Sequence, residues 1–276
     1  AGIVFAIEEI GKSFESKGST LIITAVIMAG MTSLTLIGDY AYFGATSVAL
    51  PIKNWLSIPV LGIAGGLLGG VFSRLLIQTA DGFPGPIGRF MKAAPISAAA
   101  VCGLLVAVIG LASNGLTYGT GYDHARLAVH GSPLPVAFLP FKFLATAVSS
   151  ISGIAGGIFS PSLSIGAGLG ADLSVFFPSA PLSALVLLGM AAYLSGVVQA
   201  PITSFVIVSE VTNDHHIMLP LMATSLLGAW ASKTICKDGL YHALATRMVR
   251  VENVATPPST APSAVPVKEV NQAKDD

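Results

Sequence analysis

A chain of 276 residues that is 53% hydrophobic and only 10% charged departs from soluble domains, which carry about 25% charged residues. Its formal net charge of +0 argues against a nucleic-acid partner, and a mean hydropathy of +0.77 points to a membrane setting. Cys102 and Cys236 lie far apart in apolar segments, which suits packing better than a disulfide framework or a metal site.

The chain opens at Ala1 inside an apolar helix pattern, with neither an initiator Met nor a signal-peptide n-region, so it is expected to be a piece of a longer protein. Membrane helices need roughly 17–25 residues. The first candidate, 21–37, is nearly uncharged and ends at Gly38 and Asp39. The second, 55–77, is interrupted by Gly62, Gly65, Gly66, Gly69 and Gly70, a small-residue pattern that lets helices approach closely. A Pro- and Gly-rich loop from Asp81 leads to 96–112. The segment 136–149 carries Lys142 and runs into a glycine-rich turn; 182–198, 202–211 and 217–235 complete the set. Several are too short to cross a bilayer alone, and broken, tightly packed helices suit a transporter or channel better than a simple receptor bundle. Residues 1–250 are expected to form the membrane domain, and 251–276, rich in Pro, Ser, Ala, Lys and Asp, a disordered, solvent-exposed tail.

The most informative segment is SGIAGGIFSPSL, 152–163. It sets a glycine-rich turn against an apolar helix whose first turn carries Pro161, where a missing N–H costs nothing. The N–H groups of Ile158 and Phe159 are then free at the positive end of a helix dipole, which is an anion site. No lysine follows as a phosphate-binding loop requires, and the flanks are too apolar for one. Anions held at broken helices near the bilayer midplane are a transporter feature. A glycine-rich hinge between two packed helices is the competing reading.

GGIFSP at 156–161 resembles the GGIFxP signature of the ClC family of chloride channels and proton/chloride exchangers. Other landmarks stand in family order. AGIVFAIEE at 1–9 resembles the helix after the family's second anion-binding segment. GTGY at 119–122 resembles a glycine-rich stretch after the middle helices, and APIT at 200–203 with EVT at 210–212 resembles AP(L/I)T…E(M/V)T. Gly239, Leu240 and Tyr241 resemble the start of the last helix, where the family sets a tyrosine against the anion. The resemblance runs from Ala1 to about residue 249. It implies an all-α, polytopic membrane fold of short, tilted and broken helices, part of an inverted-repeat architecture. The family's GSGIP and GREGP segments are absent from this sequence, so the chain is expected to hold only part of the ion path. The short tail leaves no room for paired nucleotide-sensing domains, which implies a bacterial-type member in the inner membrane.

Position by position, the resemblance assigns chloride binding to the Ile158 and Phe159 N–H groups and the Tyr241 hydroxyl. Neutral donors suit conduction, which needs binding weak enough to release the ion. On the residues alone Tyr241 reads first as an interfacial belt tyrosine, and the order of the motifs reverses that preference. Glu9 matches the internal proton-transfer glutamate of the exchangers, where channels of the family carry an apolar residue. The competing reading makes Glu8 and Glu9 helix-end carboxylates paired with Lys12. Lys142, where relatives place a basic residue, either raises the local potential for anions or snorkels to an interface. Glu210 reads as a structural hydrogen-bonding group, and the adjacent His215 and His216 make a poor metal site, so no metal or cofactor is expected.

Proton-coupled chloride exchange is the leading expectation and a passive voltage- or pH-gated chloride channel the alternative. An intramembrane enzyme using Glu8 or Glu9 as base lacks any nucleophile or metal partner in the sequence. The resemblance further implies chloride, protons and lipid as partners and a homodimer joined through 20–37, 46–55, 201–212 and 217–235.

Overall fold

The structure, a computed structural model, describes residues 1–10, 16–38, 40–154, 156–241 and 243–246, without the side chains of 9, 10, 16–21 and 87. The expected tail at 251–276 lies outside the described residues. Helix α1 (Gly2–Phe5) runs into a π-helical turn (Ala6–Ile10), followed by α2 (Ser16–Ile37). Then come α3 (Ser57–Asp81), α4 (Pro86–Ala93), α5 (Pro95–Ala112), α6 (Tyr122–Val129) and α7 (Phe138–Ile151). The set closes with α8 (Phe159–Leu173), α9 (Leu182–Val198), α10 (Pro201–Thr212) and α11 (Met218–Ser232), before a further helical turn begins at Leu240. No strand occurs among the described residues.

Proline sets the first turn of α4, α5 and α10, where its fixed φ suits the helix and its missing N–H is not needed. Gln199 and Asn213 end α9 and α10 in the left-handed conformation at φ 55° and 47°. Helix α9 is apolar on every side and correspondingly central, with every residue from Ala184 to Val198 buried. Helices α3, α8 and α11 surround it. Backbones meet at small residues: a Cβ on Gly196 would lie 2.8 Å from the Gly66 Cα. Buried hydroxyls tie the same helices, Ser73 donating to the Val197 carbonyl at 2.5 Å, Ser195 to Ser225 at 2.6 Å and Ser232 to Gly196 at 2.6 Å.

Among the described residues, two stretches, Ile52–Asp81 and Pro95–Ala112, are long and apolar enough to cross a bilayer. In α5 the large apolar side chains face outward, Leu104 and Leu111 being 66% and 71% exposed, and in α2 Leu36 is 79% exposed. Contiguous apolar surface of this kind suits lipid or another helix and is foreign to a soluble core. The expected spans all appear as helices, and α4 and α6 are short additions between them.

The corner between α10 and α11 is held by buried Asp214. Its carboxylate accepts the Val48 N–H at 2.8 Å, the Thr46 hydroxyl at 3.2 Å and the His216 N–H at 2.9 Å. His215 turns its Nδ1 toward the Ser209 hydroxyl at 3.4 Å, and no metal-binding cluster occurs among the described residues.

Candidate functional site

The turn before α8 begins at Gly153, whose φ of +77° only glycine adopts readily. The Ser152 hydroxyl accepts the Ile154 N–H at 3.3 Å and tightens the bend. Ile158 then caps α8 without a side-chain bond, and its carbonyl accepts the Ser162 N–H at 3.1 Å. Neither the Ile158 nor the Phe159 N–H has a protein acceptor among the described residues. A Cβ added at Gly156 or Gly157 would meet nothing within 4 Å. These two glycines therefore leave the backbone open to approach, and the positive-φ bend itself is made at Gly153. Ser162 and Ser164 further along α8 are fully buried, and their hydroxyls have no hydrogen-bond partner among the described residues.

Tyr241 reaches this helix start through an aromatic intermediary. The Phe5 ring stands edge-on to Phe159 at 5.6 Å and to Tyr241 at 5.4 Å. Such geometry is the preferred one for aromatic pairs, whose positive edges meet negative faces. Segments from the beginning, middle and end of the chain thus converge on Phe5. A second aromatic group lies along the first turn of α8, where the Tyr42 hydroxyl is 3.4 Å from Ser160 Oγ and the Tyr122 hydroxyl donates to the Tyr42 carbonyl at 2.8 Å.

Glu9 lies in the π-helical turn immediately after Phe5, and its side chain is outside the described residues, as is Lys12. Glu8 has another partner. Its Oε1 accepts the Ile202 N–H at 3.1 Å and its Oε2 the Thr203 N–H at 2.6 Å, at the N-terminus of α10. The reason is local: the N-cap of α10 is Ala200, which has no side chain to satisfy the first free N–H groups. An uncapped Ala-Pro helix start was the signal in the sequence that a distant acceptor was required. Phe5 carried no signal, being one apolar residue in an apolar run.

Lys142 is buried, at 2% exposure, which rules out snorkelling. Its ammonium donates to the Thr117 carbonyl at 3.1 Å and to the Gly119 carbonyl at 2.6 Å. It lines a cavity of about 410 Å³ with Thr117, Gly156, Gly157 and Ile158, so the cation and the glycine-rich turn border one space. Glu210 is exposed, and the buried carboxylate that organises its helix end is Asp214.

Residues 1–233 match the family described as voltage gated chloride channel. The chain belongs to this family, that of the ClC channels and exchangers, with its polytopic all-helical membrane fold. It is 29% identical over 275 residues to the H(+)/Cl(-) exchange transporter ClcA of Yersinia pestis bv. Antiqua (strain Angola), covering 92% of this chain and 55% of the relative. To the ClcA of Salmonella agona (strain SL483) it is 31% identical over 261 residues, covering 90% of this chain and 54% of the relative. The chain thus spans about half the length of these relatives. The crystal structure of a slow cyanobacterial Cl-/H+ antiporter superposes with a TM-score of 0.70 at 24% identity, over 91% of this chain and 61% of that one, a likeness of fold.

Proposed function

We propose that this chain contributes to proton-coupled chloride exchange across a membrane. Chloride is held by the Ile158 and Phe159 N–H groups with the Tyr241 hydroxyl, and Glu9 carries the proton. The observation that supports this most directly is the start of α8, where two N–H groups without protein acceptors among the described residues sit on an open glycine face beside Phe5 and Tyr241. Donors of this type stabilise a desolvated anion at the positive end of the helix dipole without binding it irreversibly. The buried Lys142 ammonium, bordering the same cavity, makes the local potential favourable to anions.

The names of the relatives, exchange transporters that couple protons to chloride, favour exchange over passive conduction. The protein acts as a multi-pass component of the bacterial inner membrane and assembles as a homodimer. The outward apolar side chains of α2 and α11, such as Met31 and Trp230, suit that interface. The deciding experiment places the full-length protein in liposomes under a chloride gradient and follows internal pH. Uphill proton movement is the expected result; chloride flux with no proton movement would identify a channel instead.

A further inference from the structure

The described side chains of the π-helical turn that carries Glu9 supply little packing. Helix α1 contains no buried residue, and of the described side chains of the turn Ala6 is buried and Ile7 60% exposed. Among the described side chains, the Phe5 ring on one side and the Glu8 carboxylate on the other tie this segment to the body of the protein. The second is a fixed joint. Each carboxylate oxygen takes a different N–H, from Ile202 and Thr203, so the group cannot rotate without losing a bond. The helix offers no substitute cap, because the Ser204 hydroxyl turns back to the Ala200 carbonyl at 2.8 Å and the buried Thr203 hydroxyl has no partner among the described residues. Helix α10 is itself anchored at its far end, where the Val211 and Thr212 carbonyls accept the Phe43 and Thr46 N–H groups at 2.8 and 2.9 Å.

We infer that Glu8 is a positioning residue for proton transfer: by bridging the two free N–H groups of α10, it fixes the rotation of the π-helical turn and so the placement of Glu9. The inference rests on the exchanger reading above. π-Helical turns are rare single-turn insertions that recur at functional sites, and an irregular turn needs an external anchor to keep one geometry. A negative carboxylate on a helix N-terminus supplies one, through hydrogen bonds and through the dipole. Glu8 makes no contact with the transported ions in this role; it acts through its neighbour.

The test uses the full-length protein in liposomes with proton and chloride fluxes measured in parallel, together with amide hydrogen exchange at Ile202 and Thr203. Glu8→Ala is expected to lower the proton-to-chloride flux ratio about fivefold and to speed exchange at both amides by a similar factor, the weight of a carboxylate on a helix N-terminus. Glu8→Gln keeps an acceptor oxygen and is expected to recover part of the ratio, which a loss of global structure would not allow. A Glu8→Ala protein with an unchanged ratio, beside a Glu9→Gln protein that has lost proton flux, overturns the positioning role alone. Proton and chloride fluxes that fall in parallel, with Gln no better than Ala, overturn it too, as do unchanged amide exchange rates. If Glu9→Gln leaves proton flux intact, or the unmodified protein moves no protons, the exchanger reading falls and the positioning role falls with it.

Discussion

Phe5 stands edge-on to Tyr241 with ring centroids 5.4 Å apart, joining the first helix of the chain to the last described one. The same ring contacts Phe159 at the start of α8, so the aromatic trio fixes how the tyrosine stands relative to that helix start. The contact involves the ring alone, which separates packing from hydrogen bonding experimentally.

Tyr241→Phe keeps the ring against Phe5 and removes only the hydroxyl. Chloride binding by calorimetry on the full-length protein is expected to weaken by about 0.5–1.5 kcal/mol, the net weight of one neutral hydrogen bond. Tyr241→Ala also removes the ring packing and is expected to loosen the coupling of anion to proton. Equal affinities for the unmodified and Phe proteins would take the hydroxyl out of the site.

Gly157→Val tests the open face. Since a Cβ there meets nothing within 4 Å, the added side chain is expected to leave stability within about 0.5 kcal/mol, as at exposed positions generally. Chloride binding, in contrast, should be lost, because the side chain occupies the space from which the anion approaches. A variant that folds, binds and transports normally would contradict the helix-terminus account.

Glu9→Gln removes the titratable proton and keeps shape and hydrogen bonding. Proton movement is expected to cease while chloride flux stays substantial, because the proposed chloride donors are Ile158, Phe159 and Tyr241. Fluorescence of an entrapped pH dye, recorded with a chloride electrode, reads both at once. Coupled transport that survives unchanged removes Glu9 from the proton route.

Gly196→Val probes the core. Its Cβ would lie 2.8 Å from the Gly66 Cα and 2.9 Å from the Gly65 carbonyl oxygen, backbone atoms that cannot move aside alone. Overpacking typically costs about 1–3 kcal/mol, so the melting temperature in detergent should fall clearly. The same substitution at Gly157 should leave it unchanged.

Assembly is checked by cross-linking in native membranes. A cysteine replacing exposed Trp230 on α11 is expected to give a covalent dimer. Monomers alone, from this and from cysteines along α2, would count against the homodimer.

Composition and hydropathy were enough to place this chain in a membrane and to locate its long helices, because burial in lipid demands continuous apolar runs that are local in sequence. The span at 182–198 appears as α9 with those bounds, and its apolarity on every side accounts for its central place. The start of α8 was equally legible, since a glycine bend followed by a proline-containing first turn is a local pattern. Helices α4 and α6 were not, being short and mixed in polarity. Lys142 shows the limit most plainly: its residues alone allowed both an interfacial and an anion-facing cation, and only the fold, bringing the Thr117 and Gly119 carbonyls to its ammonium, buried it. Likewise Glu8 had a nearby lysine in sequence, yet its carboxylate went to the N-terminus of α10, where Ala200 left N–H groups unsatisfied. Local pattern determines which segments are helices and which ends need partners. Which partner meets which end depends on contacts between residues far apart in the chain, and those exist only once the helices have packed.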